Sequence, residues 1–357
     1  MPSVHSEGTE GFLSRRGFVQ VLASSAGALL LAGCAHLRSH LPPAIGRHPA
    51  PRLVTPFVTP NEDFFMVAVD PAFRPSFGPE TVADAWRLEL AGPGGARRIG
   101  YAELSGRARH SVHYTFECIG NPVGGRLIGN ALWRVVPLRE LLATAPGGTA
   151  GARTVRFEGL DGFYSSVSLE RATDDYAFLA LGMNGVPLPA EHGFPARVIL
   201  PDLYGKKQPR WLSRIVLQET AGTTSYWEKR LWRGGVPVKT TARLDLRPPQ
   251  PAGLPLELTG MAFAGARGVR GVEISLDGGE HWVACELVTP ARPHVWSLWR
   301  YTWPAPTPGR HTLAVRATDG TGAPQIARRQ GRWPSGATGY HRSRVEIVPA
   351  GAPPGSG

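Results

Sequence analysis

The stretch over residues 113–138 constrains the fold more than any other part of the chain. It begins in a period-two alternation that is typical of a β-strand, with Val112, Tyr114, Phe116 and Cys118 on one side. The segment Gly120-Asn121-Pro122 then breaks the strand, and Gly124-Gly125 lets the backbone bend or approach another group closely. Cys118 is therefore expected where a strand ends in a glycine-bearing loop. Taken alone, such a Cys is usually a small buried apolar residue, but loops on rigid scaffolds often carry functional groups.

Length and composition indicate a loop-rich, β-rich protein with room for two domains. The chain has 357 residues, of which 44 are Gly and 34 are Pro, and domains average about 150 residues. Three cysteines are too few for a disulfide framework, so no disulfide is expected. The formal net charge is +11, but the basic residues are dispersed, so no nucleic-acid partner is expected.

The N-terminus has the features of an export signal. Ser14-Arg15-Arg16-Gly17-Phe18-Val19 matches the twin-arginine pattern, and the apolar stretch that follows is too short for a typical membrane span. Leu31-Ala32-Gly33-Cys34 resembles a bacterial lipoprotein cleavage box, in which the Cys is lipidated.

From these features we expect residues 1–33 to be a signal of twin-arginine and lipoprotein type, residues 34–54 a proline-rich tether and residues 351–357 a flexible tail. The protein would then be periplasmic or at the cell surface, held to the membrane only through Cys34. The alternative is an ordinary export signal that is cleaved nearby.

Three segments around Cys118 carry a family resemblance. Cys-Ile-Gly-Asn at residues 118–121, Leu-Ile-Gly-Asn-Ala-Leu-Trp-Arg at 127–134 and Pro-Leu-Arg-Glu-Leu-Leu at 137–142 resemble the centre of the sulfite oxidase family of molybdenum enzymes. The resemblance implies that the Cys118 thiolate binds molybdenum, a role that suits a soft donor. It also implies an α+β, β-rich molybdopterin-binding domain over residues 55–243 and an all-β immunoglobulin-like domain, which commonly forms the dimer interface, over residues 244–350.

The same resemblance assigns residues to the cofactor. Besides Cys118, the residues in matching positions are Phe65, Asp161, His192, Arg197, Lys207, Gln208 and Arg210. Lys and Arg would neutralise the terminal phosphate of a molybdopterin, while amide and imidazole groups would pair with its pterin ring. By itself, the Lys206-Lys207 block would be interpreted as a solvated basic loop. No haem is expected, because the chain has no Cys-x-x-Cys-His segment.

Three positions near the expected substrate pocket depart from the family pattern. Met66 stands where the family has an arginine, Val123 where it often has another, and Trp232 where it has a tyrosine. Arg267 remains in register with an arginine that reaches from the second domain toward the substrate. The resemblance therefore implies Cys118, Arg267 and Trp232 as catalytic residues in a pocket that is less cationic than that of a sulfite oxidase.

The second half of the chain has short strand patterns with turn residues between them. The expected strands cover residues 259–264, 272–276, 282–287 and 312–318, and Asp277-Gly278-Gly279 is expected to form a turn. This spacing is typical of a β-sandwich. Cys285 is expected to be a buried apolar side chain within one of the strands.

These observations support a molybdenum-cofactor-dependent oxidoreductase that transfers an oxygen atom on a small oxyanion, with sulfite as the first candidate. Its electrons would pass to a separate carrier, such as a c-type cytochrome or a quinone-linked protein. A second hypothesis is reduction of a sulfoxide or another oxo compound with the same cofactor. A third is a non-enzymatic, lipid-anchored binding module, which would need neither the Cys118 loop nor the basic blocks. A homodimer is expected through the second domain.

Overall fold

The computed structural model describes residues 54–70, 72–222, 224–245 and 250–350. All of them belong to one compact unit that spans residues 46–357. The expected signal over residues 1–33, the tether up to residue 53 and the tail over residues 351–357 lie outside the described residues. No helix within the described ranges is both long and apolar enough to cross a bilayer.

Strands dominate the described residues, as the composition predicts. The four α-helices are short: α1 (Val82–Ala85), α2 (Tyr101–Arg107), α3 (Leu138–Leu142) and α4 (Leu169–Ala172). The strands are β1 (Arg87–Gly92), β2 (Gly95–Gly100), β3 (His110–Glu117), β4 (Ile128–Pro137), β5 (Thr154–Gly159), β6 (Tyr164–Ser168), β7 (Phe178–Met183), β8 (Val186–Pro187), β9 (Arg197–Ile199), β10 (Leu212–Gln218), β11 (Thr241–Leu244), β12 (Gln250–Pro251), β13 (Leu256–Phe263), β14 (Val269–Ser275), β15 (Val283–Ala284), β16 (Glu286–Leu287), β17 (Ser297–Trp303), β18 (Gly309–Asp319) and β19 (His341–Val348).

Two sheets form the N-terminal half of the described chain. The first has the order β2-β1-β10-β5-β6, in which β1 and β10 are parallel. The second has the order β3-β4-β7-β8, and β9 pairs with β7. Apolar side chains from both sheets share one core, which includes Leu88, Phe116, Trp133, Phe157 and Ile215. Because β1 pairs with β10, the start of this half is joined to its end.

Strand β3 positions Cys118. It pairs with β4 in an antiparallel ladder that runs from His110↔Val135 to Glu117↔Ile128. The last four residues of β3 are buried, so the end of the strand is anchored in the core. The ladder stops at Glu117, and Cys118 opens the connection to β4. The predicted strand and the loop that follows it are therefore confirmed.

Local sequence accounts for a helix start and two turns in this half. Pro137 is the N-cap of α3, and a turn at Gly162 joins β5 to β6 in a hairpin. Asn184 and Gly185 join β7 to β8 with φ of 51° and 84°. These left-handed conformations are those that Asn and Gly tolerate best.

The C-terminal half consists of two sheets around a second core. Their orders are β11-β13-β17-β16 and β12-β19-β18-β14-β15, so the predicted sandwich of two sheets is present. The single strand expected over residues 282–287 is wrong, because β15 pairs with β14 in one sheet and β16 with β17 in the other. The chain changes sheets at Cys285, which is a free, partly exposed thiol that packs against this core.

Polar contacts tie the C-terminal half to the segment around Cys118. Arg243 donates from Nη1 to the Gly125 carbonyl at 3.1 Å. The backbone N–H of Thr115 donates to the His294 carbonyl at 2.8 Å. Thr115 lies in β3 and Gly125 in the loop that follows, so both sides of Cys118 are held by the C-terminal half.

Candidate active site

The loop that carries Cys118 is closed by Asn121. The backbone N–H of Cys118 donates to the Leu127 carbonyl at 2.9 Å. Asn121 donates from Nδ2 to Glu117 Oε1 at 2.9 Å and accepts at Oδ1 from the Leu127 N–H at 3.0 Å. The Gly120 N–H donates to Cys118 Sγ at 3.4 Å. The thiol is thus held in a defined position, with one backbone donor directed at its sulfur.

Charges of both signs surround the Cys118 thiol. Burial raises its pKa to about 11; the hydrogen bond from Gly120 lowers the pKa, Glu117 raises it, and Arg332 and Arg210 lower it. A free thiol in this position is protonated at neutral pH. Because the thiolate is the form that binds a transition metal, metal binding would release this proton. The two arginines provide the positive charge that favours a thiolate.

Arg197 is a buried cation with an unsatisfied donor. Its guanidinium lies 4.1 Å from the centre of the Phe116 ring and 5.1 Å from that of Trp133. Nη1 donates to the His192 carbonyl at 3.2 Å, while Nε has no hydrogen-bond partner among the described residues. Burial, followed by the charge of Arg210, holds the pKa of Arg197 well below its usual value. A buried cation in this state requires an anionic partner.

Arg210 connects the surroundings of Arg197 to those of Cys118. Its terminal nitrogens donate to two backbone carbonyls, each at 2.8 Å. Burial lowers its pKa to about 10; Asp161 raises the pKa, Arg74 lowers it, and Cys118 raises it. The arginines at 74 and 197 therefore concentrate positive charge around Arg210, which itself acts on the thiol.

His192 and Gln208, two of the predicted cofactor residues, are buried and bonded to the backbone. His192 Nε2 lies 2.7 Å from the Asn61 carbonyl oxygen, and burial lowers the pKa of His192 to about 4. Gln208 accepts from the Leu200 N–H at 2.9 Å and donates to the Leu203 carbonyl at 2.6 Å. Both side chains are therefore rigidly placed, and their role toward a pterin stays a prediction.

Lys207, another predicted cofactor residue, has its partners within the protein. It is buried, donates to the Ser166 carbonyl at 2.9 Å and to Ser225 Oγ at 2.7 Å, and lies 2.5 Å from Glu228 Oε1. This is not the solvated basic loop that composition alone would suggest. A phosphate contact by Lys207 stays a prediction, and it would compete with the Glu228 pair.

Phe65 and Asp161 complete the predicted cofactor set. Phe65 is half-buried and stacks on Phe64 with ring centres 5.4 Å apart. Asp161 accepts from the Phe163 N–H at 3.1 Å, and burial raises its pKa. Its charge acts on Arg210, so Asp161 lies close to the arginine cluster.

These residues fit a molybdenum cofactor. Cys118 offers a soft thiolate ligand at the end of a rigid strand. Arg197, with its unpartnered Nε, and Arg210 offer charge to an anionic pterin at the same place. One set of side chains thus combines the metal ligand with the counter-charge that the cofactor needs.

Arg267 and Trp232, the other predicted catalytic residues, have protein partners. Arg267 donates from Nε to Asp319 Oδ2 and from Nη2 to the Val238 carbonyl, both at 2.8 Å, and its Nη1 lies 3.7 Å from Asp202 Oδ1. Trp232 is buried. The contacts of Arg267 join the two halves of the molecule, and its contact with substrate stays a prediction.

Arg332 was not singled out from the sequence, although its charge lowers the pKa of Cys118. It lies in the long connection between β18 and β19, over residues 320–340. Connections longer than about 15 residues without secondary structure are often functional, and this length was the available signal. Arg332 therefore joins Cys118 in the candidate site.

A small polar cavity lies beside the Cys118 loop, between the two halves. Its lining includes Glu117, Tyr204, Lys239 and Gln325, and its volume of about 10 Å³ approaches what one water molecule needs. Glu117 is buried, and its Oε2 has no partner among the described residues. Burial raises the pKa of Glu117 to about 7, whereas Asn121 and Lys239 lower it.

The fold and the site fit a cofactor-dependent oxidoreductase in which Cys118 is the predicted metal ligand. Residues 77–227 match the family described as oxidoreductase molybdopterin binding domain, and residues 244–343 match the Mo-co oxidoreductase dimerisation domain. Sulfite oxidase of Gallus gallus is 32% identical over 324 residues, covering 76% of this chain and 68% of that protein. The chain belongs to the sulfite oxidase family of molybdopterin-dependent oxidoreductases.

Two further comparisons show how much of a relative this chain covers and which solved structure shares its fold. Mitochondrial sulfite oxidase of Homo sapiens is 30% identical over 308 residues, and the match covers 72% of this chain but only 55% of the human protein. The crystal structure of the sulfane dehydrogenase SoxCD from Paracoccus pantotrophus superposes with a TM-score of 0.71 and 20% identity, over 82% of each chain. The likeness to this structure establishes the fold alone.

Proposed function

We propose that this chain oxidises a small sulfur oxyanion, with sulfite as the first candidate, and passes the electrons to an external acceptor. The observation that carries the proposal is Cys118, a soft donor at the end of a buried strand, whose thiol pKa is lowered by the charges of Arg332 and Arg210. An anionic substrate beside the metal-binding thiol would meet these cations. The identity to animal sulfite oxidases, 32% for Gallus gallus, supports the same substrate class.

The residues of this chain would position the substrate and exclude water. When bound, the molybdenum cofactor supplies a two-electron oxygen-atom transfer. Arg332 would hold an oxyanion through charge-assisted hydrogen bonds, and the buried Trp232 would keep solvent away. Asn121 would keep the Cys118 loop in one conformation through its bonds to Glu117 and Leu127.

Reduction of a sulfoxide or another neutral oxo compound is the second candidate. It is favoured by Val123, which lines the cavity beside the Cys118 loop, and by the buried Trp232. Neither side chain adds to the positive charge of the arginines around the thiol. A neutral substrate would not need that charge.

The deciding experiment measures both directions of the reaction with the purified holoenzyme. Sulfite is supplied with ferricyanide as acceptor, and dimethyl sulfoxide is supplied with reduced methyl viologen as donor. The proposal expects sulfite-dependent ferricyanide reduction that greatly exceeds the sulfoxide reaction. Viologen oxidation alone would support the second candidate, and activity in neither direction would contradict both.

We also propose that the chain is exported and anchored. Arg15-Arg16 and the Cys34 box support twin-arginine export and lipidation at Cys34. Changing both arginines to Lys should leave the precursor in the cytoplasm, and Cys34→Ala should release mature protein from membranes. Wild-type protein that fractionates as soluble would contradict the anchor.

We further infer that the C-terminal half is an immunoglobulin-like sandwich that forms a homodimer. Its two sheets around one core and its match to a dimerisation domain over residues 244–343 support this. Sedimentation equilibrium of the holoenzyme should give the mass of a dimer. A monomer at micromolar concentration would contradict the inference.

A further inference from the structure

Two neighbouring loops form a surface beside the candidate active site. They are residues 226–235 and residues 326–335, and together we call them the mouth surface. The backbone N–H of Arg233 donates to the Pro334 carbonyl at 3.0 Å, so the loops lie side by side. Lys239 donates from Nζ to Ser335 Oγ, in the second loop, at 3.5 Å, and it lines the cavity beside the Cys118 loop together with Glu117 and Asn121. The mouth surface therefore borders the site where the metal would be held.

The exposed charges of the mouth surface are all positive. They belong to Lys229, Arg230, Arg233, Arg328 and Arg329. The acidic residue in these loops, Glu228, is half-buried and pairs with the buried Lys207 at 2.5 Å. Its charge is therefore compensated inside the protein, and a partner would meet cations only.

Large apolar side chains lie exposed among these cations. Leu231, Ile326 and Trp333 are 64%, 52% and 44% exposed, values high enough that a partner could bury them. Aromatic and Arg side chains are enriched at protein interfaces, where apolar anchors are surrounded by a polar rim. The mouth surface has this composition.

We propose that the mouth surface is the docking site of an electron-carrier protein with an acidic face. This inference rests on the proposed function, which requires an external acceptor. Conversion of one sulfite and one water, which supplies the oxygen atom, gives sulfate, two protons and two electrons, and the electrons would reduce two one-electron carriers. The acidic face would complement the exposed cations, and an apolar centre on the carrier would cover Leu231 and Trp333. Docking here keeps the carrier close to Cys118.

A lipid surface is the less favoured occupant. Basic residues with an exposed Trp also suit an anionic bilayer. However, a bilayer over the mouth surface would cover the approach to the candidate site for a water-soluble substrate. A carrier protein can dissociate between turnovers and leave that approach open.

The experiment compares three holoenzymes: wild type, the double variant Arg233→Glu/Arg328→Glu and the control Arg98→Glu/Arg310→Glu. The first pair places one reversal on each loop, and the control arginines are exposed in β2 and β18. Acceptors are an acidic c-type cytochrome, a basic c-type cytochrome and a neutral benzoquinone, with saturating sulfite. Binding of the oxidised acidic cytochrome is measured separately by calorimetry.

We expect the double variant to lose about ten- to a hundredfold in kcat/KM for the acidic cytochrome, because charge complementarity governs association. Its kcat with benzoquinone should stay within about twofold of wild type. The control variant should match wild type with every acceptor. Trp333→Ala should weaken cytochrome binding about tenfold, which is typical of an interface anchor.

Each remaining outcome contradicts a specific part of the inference. Calorimetric binding that is the same in wild type and double variant places docking elsewhere, whatever the turnover. If the double variant loses equal activity with cytochrome and with benzoquinone, the exposed cations act on the substrate and not on the carrier. Dissociation of a dimer in the double variant assigns the surface to a second copy of this chain, and variant-sensitive binding to anionic vesicles assigns it to lipid. Normal cytochrome binding without turnover by any acceptor would contradict the proposed function and leave the docking site supported.

Discussion

Replacing Arg332 with Met tests whether this side chain binds an anionic substrate. A charge-assisted hydrogen bond contributes about 1.5–3 kcal/mol, which corresponds to a roughly ten- to 150-fold loss in kcat/KM for sulfite. Arg332 lies in the connection between β18 and β19 and is not part of either core, so the free energy of unfolding should change by less than about 0.5 kcal/mol. Arg332→Lys keeps the charge and should recover part of the loss.

Arg267→Met is the matched comparison. Its side chain is paired with Asp319 at 2.8 Å and lies 3.7 Å from Asp202. Removing it leaves the buried Asp319 carboxylate without this cation, which should cost about 2–3 kcal/mol of unfolding free energy. Because the predicted substrate contact of Arg267 would compete with these ion pairs, the folded variant should raise the KM for sulfite by less than Arg332→Met does. Steady-state kinetics and urea unfolding measure the two effects. The reasoning would be refuted if Arg267→Met impaired sulfite binding while Arg332→Met only lowered stability.

Two further predictions concern stability. Lys207→Met should lower the free energy of unfolding by about 3–5 kcal/mol, because it leaves Glu228 without its buried partner at 2.5 Å. As a control, Lys229→Met changes an exposed side chain and should cost less than about 0.5 kcal/mol. Equal urea midpoints for the two variants would contradict the pairing of Lys207 with Glu228. Burial lowers the pKa of His294 from 6.5 to about 4, so below pH 6.5 the unfolded state binds more protons and stability is lost as the pH falls towards 4. His294→Gln should reduce the stability difference between pH 7 and 4.5 by on the order of 2 kcal/mol, and parallel pH profiles of variant and wild type would rule this out.

Sequence patterns predicted the elements whose signals are local. The alternation before Cys118 predicted β3 and the glycine-bearing loop because strand period and turn residues act over a few positions. The parallel pairing of β1 with β10, which brings Glu89 opposite Arg214, has no such signal. It depends on how the intervening strands pack.

In the candidate site too, some residues have a local sequence signal and others depend on contacts with distant residues. Cys118 could be found because its neighbours carry a family resemblance. The length of the β18–β19 connection points to this loop but not to Arg332 itself, whose position depends on contacts with distant residues, such as the hydrogen bond from Arg233 to Pro334. The Lys206-Lys207 block looked solvated because its partner Glu228 is distant in sequence.

X-ray absorption at the molybdenum K-edge tests most directly whether Cys118 binds the metal. Wild type, Cys118→Ser and Cys285→Ser are purified as holoenzymes, and their sulfur coordination is compared at equal metal content. Cys118→Ser should show one sulfur scatterer fewer than wild type, because the substitution replaces the sulfur atom with an oxygen, which is a harder donor. Cys285→Ser, which changes the other free thiol among the described residues, should match wild type. An unchanged sulfur count in Cys118→Ser would show that Cys118 does not bind molybdenum.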